Sequence, residues 1–433
     1  MKLSMNFVLL GIAAAVSFLF RSHGFDHDHV LPFGLLIGAI NGVPDLQTGQ
    51  ATGADATPGG IIRSQFKRQL PQQTFVPSGS VSVPVPVDDC YKRAFFRLNG
   101  SFSVTYGSGS PVIGGLGIFP KLVTNIVIQQ NGQDTLKNVD PYFMRMFDFL
   151  VNGELPRRAL TKQAGAFSTR IPGTELEYGG SAFQATTGYM LVEECISIYF
   201  EHPLAYEHGR SASLWNCRGL ASAQIVMQFG PYSNIDEAAA GTVAFAADLP
   251  ITIDIELESA PSVPRKAEFL IFKQTSQTVS YSGQQTGALI PLPRGNLLTG
   301  VHLLTRDGDA NGRRLGDHVV TDIEVVLNGQ RSIKKTTFRN AQEEMKIAFG
   351  LRDVRGTAAQ GITHNLQGYC YLGFIRDGVV QTALDTSLNA GVDSVNLKIS
   401  TGSASAPDAV TYTNPVLISV MTDELAPPVQ RFA

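Results

Sequence analysis

Residues 126–137 read I-V-I-Q-Q-N-G-Q-D-T-L-K, and residues 323–334 read I-E-V-V-L-N-G-Q-R-S-I-K. Five of the twelve positions are identical, and Asn328 lies 328 − 131 = 197 residues after Asn131. An Asn-Gly pair between two apolar runs predicts a β-hairpin, because both central residues of a type I′ turn need a positive φ. The repeat therefore predicts a structural unit that is used twice, which constrains the whole fold.

The residues after each copy predict a helix. After the first copy, Asp140 and Pro141 provide an N-cap and a proline at the first helical position, and they open a helix over residues 142–150. After the second copy, Thr337 takes the N-cap position of a helix over residues 338–349. A glycine follows each helix and supplies the left-handed residue that ends it. The shared order of strand, hairpin, strand, helix and glycine indicates a duplicated unit.

The composition indicates a β-rich protein with more than one domain. The chain has 433 residues, which is enough for two well-buried cores of ordinary size. It contains 43 Gly and 23 Pro, and only 16% of its residues are charged, which favours many turns and few exposed helices. The formal net charge is −3, whereas a broad nucleic-acid-binding surface needs a basic excess on one face. Any contact with nucleic acid is therefore expected to be indirect or local.

The four cysteines are too few and too scattered for a disulfide framework or a CxxC metal site. They are Cys90, Cys195, Cys217 and Cys370. Buried free thiols in a reduced compartment are the simplest interpretation, and they predict folding in a cytoplasm.

The first apolar run of the chain, residues 3–20, is flanked by Lys2 and Arg21. As a helix it would reach about 27 Å, just short of the ~30 Å hydrocarbon core of a bilayer. A secretory signal peptide is the alternative, with Lys2 as its charged end. No small-x-small cleavage motif follows the run. We therefore favour an uncleaved membrane anchor or membrane-apposed arm over a signal peptide or a buried helix.

A second apolar run, residues 30–43, contains a proline and three glycines, which suits a packed or re-entrant arm better than a regular helix. We assign residues 1–45 to an N-terminal apolar arm and expect residues 3–43 to contact lipid. Between the two runs, residues 23–29 contain three His and two Asp, a set that can bind a divalent metal but more often forms a polar loop. Residues 46–87 are rich in Thr, Gly, Gln, Pro and Ser, which predicts a linker or extended arm.

Apolar and polar side chains alternate in four segments, which are residues 96–106, 251–257, 322–327 and 395–399. This period of two predicts strands with one buried face and one wet face. Many short strands of this kind predict a sandwich or jelly roll. A linker at residues 258–265 divides the remainder, so we predict a first domain over residues 88–260 and a second over residues 261–433.

The sequence lacks the motifs of common catalytic sites. No serine has the G-x-S-x-G spacing of a nucleophile, and no glycine-rich loop has the Walker or dinucleotide-binding pattern. Glu193 and Glu194 are adjacent, so in a strand they point to opposite faces and cannot act as a facing pair of carboxylates. We predict no catalytic residue.

One motif suggests a metal site. Residues 307–312 read D-G-D-A-N-G and match the first half of a calcium loop, with Asp307, Asp309 and Asn311 as the oxygen ligands. The twelfth position is His318 instead of the bidentate glutamate, with Asp317 beside it. An EF-hand is therefore not expected, and a polar loop of turn-forming residues is the alternative to a calcium site.

The two β-rich units, the helix after each Asn-Gly hairpin and the apolar arm together resemble the double jelly-roll major capsid proteins of tailless icosahedral, membrane-containing viruses. This lineage includes the tectiviruses, corticoviruses and adenoviruses. The resemblance covers residues 70–433 and depends on the blocks at residues 126–153 and 323–350. It implies an all-β fold of two consecutive jelly-roll β-sandwich domains with a few short helices. The long apolar arm departs from the simplest members.

The resemblance implies a structural role without catalysis or a cofactor. It implies a homotrimer whose six jelly rolls form a pseudo-hexagonal tile in the virion capsid. Neighbouring trimers, other capsid proteins such as a vertex protein, and an internal membrane under residues 3–43 would be the partners. A mild negative charge suits a shell that lipid separates from the genome.

Two other classes of protein remain open from the sequence. The first is an exported surface adhesin or carbohydrate-binding β-sandwich protein, with residues 3–20 as its export signal. The second is a secreted β-sandwich hydrolase, which would need carboxylates that converge in one cleft. No such pair can be named from the sequence.

Overall fold

A computed structural model of the chain describes residues 67–106, 112–113, 118–153, 160–163, 166–168, 181–182, 187–204, 206–207, 210–235, 243–260, 269–308, 315–351, 366–375, 378–403, 410 and 412–427. All of these residues belong to one compact unit, Arg63–Ala433.

The strands of the first half are β1 (Lys67–Gln69), β2 (Gln73–Thr74), β3 (Ser80–Pro84), β4 (Cys90–Tyr106), β5 (Val112–Ile113), β6 (Val123–Gln130), β7 (Asp134–Val139), β8 (Leu160–Gln163), β9 (Ala166–Ser168), β10 (Ser181–Ala182), β11 (Thr187–Tyr199), β12 (Tyr206–Glu207), β13 (Arg210–Ser211), β14 (Trp215–Asn216), β15 (Ala223–Phe229) and β16 (Val243–Ser259). Those of the second half are β17 (Ile271–Tyr281), β18 (Ala288–Pro291), β19 (Leu297–Asp307), β20 (Val320–Leu327), β21 (Arg331–Thr337), β22 (Tyr369–Gly373), β23 (Leu384–Asp385), β24 (Val395–Thr401) and β25 (Val416–Ala426). The described helices are α1 (Phe119–Leu122), α2 (Pro141–Asn152) and α3 (Phe338–Phe349), with short 3-10 turns at Tyr232–Ile235, Val380–Thr382 and Leu388–Ala390.

The larger sheets form three layers of hydrogen-bonded strands. One eight-stranded sheet has the order β1-β16-β4-β11-β8-β9, with β2 paired to β16 and β14 paired to β4. A nine-stranded sheet runs β22-β19-β25-β17-β7-β6-β15-β3, with β23 paired to β19. A four-stranded sheet has the order β18-β24-β20-β21. The nine-stranded sheet therefore contains strands of both halves.

The strand order is the same in the two halves. In the first half β1-β16-β4-β11 forms one layer and β7-β6-β15-β3 the other. In the second half β17-β25-β19-β22 and β21-β20-β24-β18 repeat these two orders, and the matching strands also follow one another in the same sequence along the chain. The repeated block forms β6 and β7 in one half and β20 and β21 in the other, so the two copies occupy equivalent places.

Both Asn-Gly hairpins form as predicted. Asn131 and Gly132 have φ values of 51° and 75°, and Asn328 and Gly329 have values of 50° and 69°. Two successive positive φ values are the signature of a type I′ turn, which joins strands with the natural twist of a sheet. The hairpin prediction is confirmed at both copies.

The predicted helix ends are also confirmed. The side chain of Asp140 accepts a hydrogen bond from the backbone N–H two residues further on, at 3.0 Å, and Pro141 follows it at the start of α2. The side chain of Thr337 accepts one from the N–H three residues further on, at 3.2 Å, at the start of α3. Gly153 and Gly350 end the two helices with φ values of 72° and 62°. These contacts satisfy backbone groups that a helix leaves unpaired at its ends.

The alternating strands bury one face, as their period of two predicts. In β16 the apolar residues at 251, 253, 255 and 257 are buried, while the polar residues between them are half-buried. The first core combines such side chains from the eight-stranded layer and from β6 and β15; among them are Phe96, Leu98, Ile253, Ile126, Ile128, Ile225 and Met227. The second core combines side chains from the four-stranded sheet and from β19 and β25; among them are Ile290, Ile323, Leu397, Val301, Leu303, Ile418 and Val420. Each half is a β-sandwich.

Residues 67–84 contain strands, although the sequence predicts a linker or extended arm over residues 46–87. Strands β1 and β2 pair with β16, and β3 pairs with β15, so this part of the predicted linker belongs to the sheets of the first half. Strands β1 and β2 are too short to show an alternating pattern, and β3 contains serine and proline, which an edge strand tolerates better than a central strand does. Strand β16 also runs through Ser259, which places the first two residues of the predicted linker 258–265 in a strand. The domain boundaries at residues 88 and 261 stay predictions.

Candidate functional site

The two sandwiches meet where β7 runs parallel to β17. Lys137 lies opposite Gln274, and Asn138 lies opposite Thr275. Around this pairing, Lys273 Nζ lies 2.9 Å from an oxygen of Asp134, and an arginine of β19 reaches the N-cap of α2. Because the pairing joins one layer of each sandwich into a single sheet, it fixes the halves to each other through backbone hydrogen bonds.

A row of polar side chains crosses five strands of this sheet, and we call it the junction row. Lys137 Nζ donates to Gln274 Oε1 at 2.9 Å, and Gln274 Nε2 donates to Asp423 Oδ1 at 2.7 Å. Asp423 Oδ2 lies 2.9 Å from His302 Nε2, and His302 Nδ1 lies 2.7 Å from the hydroxyl of Tyr369. All five side chains belong to wholly buried residues. The row connects β7, β17, β25, β19 and β22 in the order in which the sheet places them.

Burial controls the charges in the junction row. It lowers the pKa of Lys137 well below its ordinary value, while Asp423 acts in the opposite direction. The Lys137 ammonium position also lies 3.6 Å from the centre of the Phe272 ring, a favourable place for a cation. Burial raises the pKa of Asp423, but His302 and the hydrogen bond from Gln274 outweigh it, so the net pKa is below its usual value. Asp423 is therefore the anionic centre of the row.

His202 approaches the row from the first half. Its Nδ1 accepts a hydrogen bond from Leu204 N at 3.2 Å, and its Nε2 lies 3.0 Å from Thr299 Oγ1. Since Thr299 donates its own hydroxyl to the backbone oxygen of Asp423 at 2.9 Å, Nε2 carries the proton. Burial lowers the pKa of His202 to about 4, which keeps this ring neutral near pH 7.

The contact between His302 and Asp423 resembles the pair in a hydrolase in which an aspartate orients the catalytic histidine. Both residues are wholly buried, and the second ring nitrogen is occupied by Tyr369. The ring of His302 packs between aromatic rings, with centroids 5.6 Å from Phe147 and 4.6 Å from Tyr371. A catalytic base must reach a substrate, which this surrounding prevents. The pair therefore holds strands together.

Helix α2 covers the junction, and its polar residues contact the first sandwich. The Glu194 carboxylate accepts hydrogen bonds from Ile118 N at 2.9 Å and Phe119 N at 2.6 Å. Arg145 Nη1 lies 3.8 Å from Glu194 Oε2. Within the described part of the chain, the wholly buried guanidinium of Arg145 has no hydrogen-bond partner. Such burial is costly, because a buried charge needs hydrogen bonds as well as a counter-ion.

Asp148 is the second buried carboxylate on α2. It accepts hydrogen bonds from Ser197 N at 2.7 Å and from the Tyr199 hydroxyl at 2.9 Å. Burial raises the pKa of Asp148 to about 6 against the effect of these donors. The same burial, followed by the charge of Asp148, raises the pKa of Tyr199. Both groups fasten α2 to β11.

Of the three predicted calcium ligands, one lies within the residues that the structure describes. Asp307 ends β19, and Asp309 and Asn311 lie outside the residues that the structure describes. Asp317, which follows the predicted loop, accepts hydrogen bonds from Gln342 Nε2 at 3.0 Å and from a backbone N–H before β22 at 2.7 Å. Asp317 thus fastens α3 to the sandwich. The calcium site stays a prediction.

Within the described ranges, no three His, Cys, Asp or Glu side chains are grouped so that they could hold a metal ion.

None of the described helices is long and apolar enough to cross a membrane. The predicted arm at residues 1–45, with its expected lipid contacts at residues 3–43 and the histidine cluster at 23–29, lies outside the described residues.

All four cysteines are free thiols, and only Cys195 is partly exposed.

The junction row was not predicted from the sequence. Its residues come from five strands that are separated by up to 286 positions, from Lys137 to Asp423 (423 − 137), and only the folded sheet brings them together. Lys137 is one of the five identical positions of the repeated block, but its counterpart Lys334 is half-buried on β21, so this identity did not predict a buried partner.

No protein-family model matches the chain, and no curated protein sequence is similar to it. Solved structures do match. The crystal structure of the STIV MCP has a TM-score of 0.55 at 10% sequence identity, and the match covers 84% of this chain and 96% of that chain. A chain of the Sulfolobus Turreted Icosahedral Virus structure also gives 0.55, at 12% identity, over 84% of this chain and 90% of that chain. The chain has the double jelly-roll fold.

This finding explains the repeated strand order. Each sandwich is one jelly roll, and the Asn-Gly block supplies the same hairpin to each. The junction row lies between the two jelly rolls of one chain. The expected all-β class with two jelly rolls and short helices is confirmed.

Proposed function

We propose that this chain is a viral major capsid protein whose trimers form pseudo-hexameric tiles of an icosahedral shell. The observation that carries the proposal is the double jelly roll itself, which matches the STIV MCP over most of both chains. The resemblance noted in the repeated blocks points to the same class of protein. No described feature favours an exported adhesin.

The junction suits a shell tile. A tile must keep its two jelly rolls in a fixed relative orientation when it is in contact with neighbouring tiles. Here a parallel strand pair and a fully buried hydrogen-bonded row join the two. Because unpaired buried polar groups are costly, such a row favours one arrangement over displaced ones. The deeply buried His302 and Asp423 contribute to this rigidity, and the role of the chain is structural, without catalysis.

The arm at residues 1–45 supplies the contact with lipid in this proposal. Its apolar run at residues 3–20 has nearly the length of a bilayer core, which supports a shell that covers an internal membrane. The arm would face inward, and other trimers and a vertex protein would surround the tile. The protein would fold in the host cytoplasm and reside in the virion capsid.

Sedimentation of the purified full-length chain tests the proposal. We expect a species of three times the 46.6 kDa chain mass. A chain that stays monomeric at every concentration would argue against the capsid role.

Removal of residues 1–45 tests the membrane part separately. We expect the truncated chain to keep its trimer and to lose co-sedimentation with vesicles of phosphatidylcholine and phosphatidylglycerol. Equal vesicle binding by the full-length and truncated chains would refute the lipid-contacting arm while leaving the capsid role intact.

A further inference from the structure

The junction row places a lysine amine against a side-chain amide. Lys137 on β7 and Gln274 on β17 are partners in the parallel register, and Lys137 Nζ lies 2.9 Å from Gln274 Oε1. The carbonyl carbon Cδ of Gln274 is one bond beyond that oxygen. The backbone pairing holds the two side chains in this contact, which lowers the entropic cost of a reaction between them.

The two neighbours of Gln274 fix the orientation of its amide. The lysine amine donates a hydrogen bond to Oε1, and the carboxylate of Asp423 accepts one from Nε2 at 2.7 Å. The carbonyl of Gln274 therefore faces the amine, and the nitrogen that can leave faces a group that can carry a proton. A nucleophile, an acceptor and a proton carrier thus follow one another across β7, β17 and β25.

The surroundings of Lys137 favour the reactive form of its amine. Lys137, Gln274 and Asp423 are all wholly buried, and the amine packs on the ring of Phe272. Burial lowers the pKa of Lys137, and only a neutral amine has the lone pair that attacks a carbonyl. Burial also keeps water away from the amide of Gln274, so hydrolysis does not compete with the attack.

We propose that Lys137 and Gln274 form an isopeptide bond, which links the two jelly rolls covalently. The Lys137 amine attacks Gln274 Cδ, and the Nζ–Cδ bond forms as the Cδ–Nε2 bond breaks. Asp423 takes the proton that Nζ loses and passes it to Nε2, which leaves as ammonia with the electron pair of the broken bond. One amine and one primary amide thus become one secondary amide and one ammonia molecule. The step needs no oxidant or reductant.

The bond closes a loop between residues that are 274 − 137 = 137 positions apart. A cross-link over a long loop stabilises a fold mainly because it restricts the unfolded chain. The reaction happens once in each chain, so the role of the protein stays structural, and it does not depend on the capsid role. Chain that has not reacted keeps the free amine of Lys137, and the pH dependence of that amine belongs to this form.

Mass spectrometry of the purified full-length chain tests the bond directly. We expect an intact chain that is lighter than its sequence by the mass of one ammonia molecule. Trypsin should then release residues 122–145 and 274–294 as one branched peptide, because a linked Lys137 is no longer a cleavage site. A folded chain that keeps its full mass after prolonged incubation would overturn the proposal.

Two lysine variants control this measurement. Lys137→Met removes the nucleophile, and we expect it to have the full mass of its own sequence. Lys334→Met is the matched control, because Lys334 is the counterpart of Lys137 in the repeated block and its Nζ lies 2.7 Å from Glu344 instead. It should lose ammonia like the unmodified chain. An ammonia loss that persists in Lys137→Met would come from another site, such as a succinimide at an Asn-Gly pair, and would overturn the proposal.

Asp423→Asn tests the proton carrier separately. The amide of asparagine has nearly the size of the carboxylate but cannot carry the proton, so we expect the branched peptide to form at least about tenfold more slowly. Thermal unfolding shows whether this variant is folded, and the two lysine variants test the bond without it. Equal rates in the folded variant and the unmodified chain would refute the role of Asp423.

Discussion

Lys137 Nζ donates a 2.9 Å hydrogen bond to Gln274 Oε1, and this contact joins the two jelly rolls through two wholly buried residues. A lysine without solvent is unusual, because its charged form is strongly disfavoured by burial. The contact therefore has consequences for stability that depend on pH.

Replacement of Lys137 with Met should remove one component of that pH dependence. Burial lowers the pKa of Lys137, so between the lowered value and the ordinary value of about 10 the unfolded chain binds more protons than the folded chain. The free energy of unfolding then rises with pH, by at most about 1.4 kcal/mol per unit. Urea unfolding at about pH 7.5 and about pH 9.5 measures how steeply the free energy of unfolding rises with pH. Equal slopes for the unmodified protein and Lys137→Met would refute the lowered pKa of the buried amine.

A second variant, Lys137→Ala, separates packing from charge. It lacks the same amine but also leaves a cavity, so we expect it to be about 2 kcal/mol less stable than Lys137→Met. Urea unfolding near neutral pH measures the difference. Equal stability of the Ala and Met variants would show that the site collapses around the smaller side chain.

His202→Gln should flatten the acid side of the stability profile. The folded pKa of His202 is about 4 because of burial, whereas an unfolded histidine has a pKa near 6.5. Between these values the unfolded chain binds more protons, so the unmodified protein loses up to about 3 kcal/mol as pH falls, and glutamine removes this loss. Asp148, whose raised pKa gives the opposite trend, is present in both proteins and cancels. Chemical unfolding at about pH 7 and about pH 4.5 measures the change in the free energy of unfolding for both proteins. The same change in both would contradict a histidine that is buried in its neutral form.

Asp140 has two roles, which matched substitutions should separate. It caps α2, and its Oδ2 lies 2.8 Å from Arg306 Nη2 in the second jelly roll. Thr337→Ala removes only the equivalent cap of α3 and should cost about 1 kcal/mol. Asp140→Ala should cost about 2 kcal/mol or more, since it also removes the counter-ion of a partly buried arginine, which keeps, among the described residues, only its hydrogen bond to Ser419. Asp140→Asn keeps a cap and loses only the charge, so it should cost less than Asp140→Ala. Equal losses for the Ala variants, by urea unfolding, would show that Arg306 adds nothing.

Arg145 should be costly to replace alone. Its guanidinium has no hydrogen-bond partner among the described residues, but it is the counter-ion of the buried Glu194 carboxylate, so Arg145→Met should lower the free energy of unfolding by about 3 kcal/mol. Glu194→Gln should lower it by about 2 kcal/mol, because the carboxylate accepts backbone hydrogen bonds at the start of α1. Thermal unfolding of both variants measures the two losses. Unchanged or raised stability of Arg145→Met would show that the backbone hydrogen bonds to Glu194 hold its charge without the counter-ion.

Local signals predicted much of the jelly-roll framework. Asn131-Gly132 and Asn328-Gly329 predicted both hairpins, since the turn type is decided by two residues. Asp140 and Thr337 predicted the helix starts, since a cap needs one side chain and one nearby N–H. The alternation in β16 predicted a half-buried strand. Each of these features depends on residues that are close in sequence.

The junction row depended on contacts that are distant in sequence. Gln274 and Asp423 have no local signal, and their role follows only from the order of strands in the sheet. The edge strands β1 and β3 were also missed, because their short segments lack a long alternating pattern. A repeated block can show that a fold is duplicated, but it cannot show which edges of the two copies meet.

Electron microscopy of the purified full-length protein tests the capsid assignment most directly. We expect threefold particles with six lobes, one for each jelly roll, that pack into hexagonal arrays or closed shells. Particles with only two lobes, and no threefold form at any concentration, would contradict it.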